Sequence, residues 1–159
     1  TVARANETQD GNPVRVSAPD SDNLMRAKAA IFSAASLMLK QVGFSFGDVS
    51  VFHVAGGFGK HLDLGHAIAI GLLPDIPRER FRYLGNASLA GTRLALLSKE
   101  HRNLQEELAS RMTYLDLSAS PGYMDQYTAA LFLPHTELHL FPSVRVRARD
   151  AAGNGIDSR

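Results

Sequence analysis

The chain contains no cysteine. That excludes disulfides, thiolate zinc sites and cysteine-ligated iron–sulfur clusters within it. Charge of one sign is also lacking: the formal net charge is +1. There is therefore no bulk electrostatic case for nucleic acid or an anionic membrane as a partner. No apolar run is long enough to span a bilayer and no signal peptide is visible, so a cytoplasmic location is the expectation. What remains is 159 residues of ordinary globular composition, enough for one domain with a real core. The first residue is Thr1 rather than Met, which reads as a piece of something longer.

Residues 49–63 organise the rest. Val49, Val51, Phe52, Val54 and Ala55 form a short run of β-branched and aromatic types, the composition of a buried, parallel strand. The run stops at Gly56-Gly57, with Gly59 close behind. Glycines just past a strand end allow positive φ and close approach of the backbone to something bulky. In open α/β sheets ligands sit beyond the carboxyl ends of strands, where this turn would lie. A tight strand-to-helix connection without a ligand is the plainer alternative.

Residues 1–20 are polar and read as a linker or arm, with Val14 and Val16 as a weak edge-strand signal. A helix is expected to start near Ser21-Asp22, with an apolar stripe of Leu24, Ala27, Ile31, Ala34, Ala35, Met38, Leu39 and Val42. Gly43 suits the left-handed residue after its end. Arg26 and Lys28 lie off that stripe, near the helix start, where the dipole favours anions. A nearby phosphate would account for them, and so would a solvated face.

Asp63 is placed to cap a second helix running to Leu72, ended by Pro74 and Pro77. Phe81, Tyr83 and Leu84 read as a second strand ending at Gly85-Asn86. Ala87 to Leu97 is a helix rich in small residues on one side, and residues 99–111 an amphipathic surface helix. Met112, Tyr114, Leu115 and Leu117 suggest a third strand. Ser120-Pro121 would open a last helix that Pro134 stops. The tail after about Val146 reads as disordered. Alternation of this kind argues for a layered α/β domain with a mostly parallel sheet.

Other constellations carry less. His53, His61, Asp63 and His66 cluster in sequence, and a His-x-Asp-x-x-His spacing suits a divalent metal if loop geometry allows. His53, inside an apolar run, reads better as a hydrogen-bonded core histidine. Ser88 with His101 lacks a third catalytic member. Arg145, Arg147 and Arg149 read as a solvated tail.

Several words in the chain resemble a known family. They are 22–31 (Asp-Asn-Leu-Met-Arg-Ala-Lys-Ala-Ala-Ile), Val54 to Gly59, Ala69 to Asp75, Gly85 to Gly91, Tyr127 to Pro134 and Leu140 to Val144. In this order they are similar to the C-terminal region of reductive activators of corrinoid proteins, a branch of the acetate and sugar kinase/heat-shock/actin superfamily. The resemblance covers roughly residues 20–144. It implies a partial RNase H-like, actin-like ATPase subdomain. Gly56, Gly57 and Phe58 match the adenosine motif, with Lys28 and Arg26 as further candidates for the nucleotide's sugar or phosphates. Gly85, Ala87, Ala90 and Gly91 match a small-residue helix that packs on its counterpart in the other half of the fold.

The same resemblance implies ATP with Mg as cofactor and a corrinoid protein or methyltransferase as partner, with a homodimer possible. It also implies a 2Fe-2S cluster in an N-terminal part outside this chain. The superfamily's phosphate motifs, each built on Asp-x-Gly with a nearby Thr, are absent. The expectation is thus one wall of a nucleotide site, with no catalysis by this chain alone. Two rivals stand beside it: a phosphotransferase of the same superfamily, and a docking module using helix 87–97.

Overall fold

Helix α1 (Ala18–Gln41) opens on Ser17 rather than at Ser21-Asp22. The Asp20 amide donates to Ser17 Oγ at 3.4 Å, and the Ser17 N–H donates back to the Asp20 carboxylate at 2.9 Å. This reciprocal box outcompetes the later Ser-Asp pair, and Pro19 is tolerated because first-turn N–H groups have no helical partner. The hydrogen bonds from Ser17 hold the Asp20 carboxyl below its usual range. The computed structural model describes residues 2–57, 62–117 and 119–144. The expected tail after Val146 lies outside these.

The face that α1 buries is not the most apolar one. Lys28, Ala29, Phe32, Ser33, Ser36 and Leu37 are buried, while Leu24, Ile31 and Met38 are each 51% exposed. Ser33 tolerates burial because its hydroxyl donates to the Ala29 carbonyl at 2.6 Å. The buried face packs along α5 (Tyr123–Ala130) and on the C-terminal segment. Phe32 is the centre: its ring lies 5.3 Å from those of Phe46 and Phe141 and 5.4 Å from that of His135. Gly43 takes φ +76°, as a left-handed helix terminator should.

Strands β1 (Phe52–Ala55) and β2 (Phe81–Gly85) pair in parallel, with Phe52 opposite Phe81 and Val54 opposite Tyr83. The register breaks after Val54, so Ala55 faces Gly85. The crossover between them holds α2 (Leu64–Ala69), capped by Asp63, whose carboxylate accepts the His66 N–H at 2.8 Å. α2 is shorter than its sequence suggested because Gly71 turns away at φ +77°. β1 is half exposed rather than buried: His53 and Ala55 face out, Phe52 and Val54 partly in.

Beyond β2, α3 (Ala87–Leu97) and α4 (Lys99–Ser110) form a hairpin with no fully buried residue. The expected third strand is absent. Residues 112–117 carry no strand pairing, and Met112 and Tyr114 are 81% and 87% exposed, since no neighbouring strand covers them. α5 starts behind Gly122, at φ +78°, two residues later than the Ser-Pro signal. At the other end of the chain, Val14 makes a single antiparallel bridge with Ala3 rather than a strand. The core joins Ala29 and Phe32 to Ala67, Ile68, Leu73, Ile76, Phe81, Ala130 and Phe141.

Candidate functional site

Both strands finish at one end of the sheet, β2 on Gly85 and β1 on Ala55 with Gly56 directly after it. The Gly56 N–H donates to the Gly85 carbonyl at 2.7 Å, tying the two ends together. Gly56 sits at φ +112° and Gly85 at φ +63°, conformations that side chains rarely adopt. Gly57 is different. Its φ is not left-handed, and no atom of the described residues comes within 4 Å of where its Cβ would stand. Neither conformation nor a described neighbour requires a glycine there, so among the described residues nothing covers the bare backbone.

The first turn of α3 lies at the same edge. Its cap, Asn86, accepts the Leu89 N–H at 3.0 Å, and the remaining first-turn amides give this end a partial positive charge. Tyr83 donates its hydroxyl to the Leu62 carbonyl at 2.7 Å, which fixes the chain returning to α2. Phe58, like Gly59, Lys60 and His61, lies outside the described residues.

The two basic candidates separate. Arg26 is exposed on α1. Lys28 is completely buried and is not on a solvated face. Its ammonium donates to the Pro134 carbonyl at 2.8 Å and also to the Phe132 carbonyl. Burial pushes its pKa down to about 8. In this conformation Lys28 serves the chain's own carbonyls.

Beside it, His135 is buried against the rings of Phe32 and Phe141, the three forming a triangle of aromatic contacts. Its Nδ1 accepts the Glu137 N–H at 3.0 Å, and its Nε2 has no partner among the described residues. Desolvation lowers its pKa, reinforced by the charges of Lys28, His139 and Lys40 against the opposing pull of Glu137. Sequence reasoning missed this junction. A signal existed in the lone Gly71 directly after α2, which allows another backbone to come close.

His53 is exposed, so the expectation of a core histidine does not hold. No group of three or more metal-ligating side chains converges among the described residues, and His66 meets only Asp63, at 3.4 Å. Asp63-Leu64-Gly65 has Asp-x-Gly spacing, but its carboxylate caps α2 and Gly65 is buried. Ser88 and His101 are both exposed. On α3, Gly91 meets α4 through a side chain: Gln105 donates to the Gly91 carbonyl at 2.9 Å. No helix among the described residues is long and apolar enough to cross a membrane.

A parallel strand pair joined through a helical crossover, with glycines at its carboxyl end and further helices before and after it, is part of an actin-like domain. The chain belongs to the family described as the C-terminal domain of RACo, the ASKHA domain, whose model matches residues 1–145. It is 30% identical over 126 residues to a protein of Eubacterium limosum named corrinoid activation enzyme RamQ, covering 79% of this chain and 21% of that one. A solved structure, titled reductive activator for corrinoid, iron-sulfur protein, superposes with a TM-score of 0.84 at 47% identity, covering 89% of this chain and 23% of that one. The chain thus spans about a fifth of the curated relative it matches.

Proposed function

We propose that this chain is the C-terminal nucleotide-binding part of an ATP-dependent reductive activator of corrinoid proteins. The observation that carries the reading is Gly57, a glycine that nothing among the described residues calls for, beside two strand ends closed by the Gly56–Gly85 hydrogen bond. A nucleotide lying against bare backbone would call for it. The relatives' names supply the corrinoid partner class.

In this reading the adenosine end of the nucleotide rests on Gly56 and Gly57, and exposed Arg26 is the remaining basic candidate for its sugar or phosphates. Lys28 supports that wall by holding α1 to the C-terminal segment. Magnesium and the phosphates need carboxylates from outside this chain, and a 2Fe-2S cluster needs cysteines it lacks. The whole activator would deliver an electron from its iron–sulfur part to corrinoid cobalt. This chain contributes binding and rigid-body movement, not electron transfer.

The test is nuclear magnetic resonance of the isotope-labelled chain titrated with millimolar ATP and magnesium. The amides of Gly56, Gly57 and Gly85 should shift saturably. Gly57→Val should remove those shifts while leaving the far-ultraviolet circular dichroism unchanged. Unaltered shifts in the variant would take Gly57 out of the site.

A further inference from the structure

Parallel strands give the sheet two chemically distinct ends. The glycines close one. At the other, where β1 and β2 begin, lies a cavity of about 450 Å³ bounded by the end of α1, the turns before both strands and the C-terminal segment. That volume lies within the range of small-molecule sites, roughly 300–1,000 Å³. Its walls are aromatic and aliphatic: Phe32, Phe44, Phe46, Ile76 and Leu140. Phe44 remains 58% exposed there, apolar surface that a ligand would cover.

The rim is basic. Lys40, Arg80 and His139 line the cavity. Arg80 is held in place by donating to the Gly47 and Val49 carbonyls, at 2.8 and 3.0 Å. The Lys40 ammonium makes no hydrogen bond or ion pair among the described residues, whereas His139 has Glu137 at 3.7 Å. The one carboxylate lining the cavity, Asp75, is engaged: it accepts the Ser143 N–H at 2.7 Å and its hydroxyl at 2.8 Å. Apolar walls under a cationic rim match an anionic head on an apolar body.

We propose that this cavity is a second site, separate from the glycine edge, which takes a small organic anion with an aromatic or aliphatic body. The geometry stands independently of the nucleotide reading, because the two sites lie at opposite ends of the strands.

The probe is naphthoate, compared with its neutral amide, naphthamide, in titrations of the labelled chain followed by backbone amide shifts. Naphthoate should shift Gly47, Ile76 and Leu140 saturably, and naphthamide should bind about five-fold more weakly, the scale of one partly exposed charge pair. Lys40→Gln, an exposed position outside the core, should remove that preference and leave naphthamide unchanged. Millimolar ATP should not compete. Equal binding of acid and amide, unsaturable shifts or competition by ATP would each overturn the proposal. So would a failure of naphthoate where a peptide rich in glutamate and phenylalanine shifts the same amides, which would make the cavity a protein-docking face.

Discussion

Gly71 vacates the space that the carbonyl of Pro134 fills: a Cβ on Gly71 would stand 2.1 Å from that oxygen. The same oxygen accepts from Lys28, 2.8 Å away. One carbonyl thus joins α1, the turn after α2 and the segment behind α5. Three of the sequence words that resemble the activator family meet there, at a structural joint rather than at a ligand.

Gly71→Ala should therefore be severely destabilising. It adds a steric clash with backbone to a left-handed φ, and a loss of about 3 kcal/mol or more is expected from urea unfolding. Gly85→Ala has the positive φ but open space around it, so about 1 kcal/mol is expected. Equal losses would show that conformation, not the carbonyl, sets the requirement at Gly71.

Lys28→Met keeps the aliphatic stem and removes the donors to two carbonyls. Leaving a buried acceptor unpaired costs about 1–3 kcal/mol, and the Pro134 carbonyl is buried while that of Phe132 is partly so, so a loss of about 2–4 kcal/mol at neutral pH is expected. A variant as stable as the parent would mean that water replaces the ammonium.

Lys28 also sets a pH dependence. The unfolded lysine keeps its proton to about pH 10.5, the folded one only to about 8. Between these values the unfolded state binds more protons, so this group makes stability rise with pH. Thermal unfolding between pH 7.5 and 10 should show that rise in the parent chain, relative to Lys28→Met. Parallel curves would refute a depressed Lys28.

His135 acts at the acid end. Its ordinary value is 6.5, and burial lowers it in the fold. As pH falls below about 6.5 the unfolded state takes up the proton first, and stability is lost. His135→Phe, which keeps a ring against Phe32 and Phe141, should flatten that slope between pH 7 and 5. An unchanged slope would assign the acid sensitivity to other groups.

Asp75→Ala should cost about 1–2 kcal/mol, because the Ser143 amide and hydroxyl both donate to that carboxylate. Hydrogen exchange at Ser143 should speed up while α3 and α4 stay as they were. Unchanged exchange at Ser143 would show that Asp75 does not hold the C-terminal segment.

Much of this arrangement was legible in the sequence. The first strand and its Gly-Gly stop, the Asp63 cap, Gly43 as a helix terminator and the second strand ending at Gly85 all follow from local chemistry. The errors share a cause: local pattern does not say what lies opposite. Periodicity chose Leu24, Ile31 and Met38 as the buried stripe of α1, but α5 and Phe141 meet the helix on its Lys28–Phe32 side. Met112 and Tyr114 alternate like a strand, yet no strand pairs with them. His53 sits in an apolar run whose outer face is uncovered. At the site, the glycines were readable because their chemistry is local. The burial of Lys28 was not, because its partners are carbonyls 104 and 106 residues away.

That separation also fixes an order of events during synthesis. When α1 leaves the ribosome, the oxygen that will accept a hydrogen bond from its buried ammonium is still 106 residues from being made. At about 5–20 residues per second, the wait is roughly 5–20 seconds. Over that interval the α1 face carrying Ala29 and Phe32 can meet Phe46, Ile68 and Phe81 but lacks α5 and Phe141. The nascent chain therefore passes through a stage in which its central helix is a candidate client for chaperones, and the stage ends only when Pro134 and Phe141 arrive.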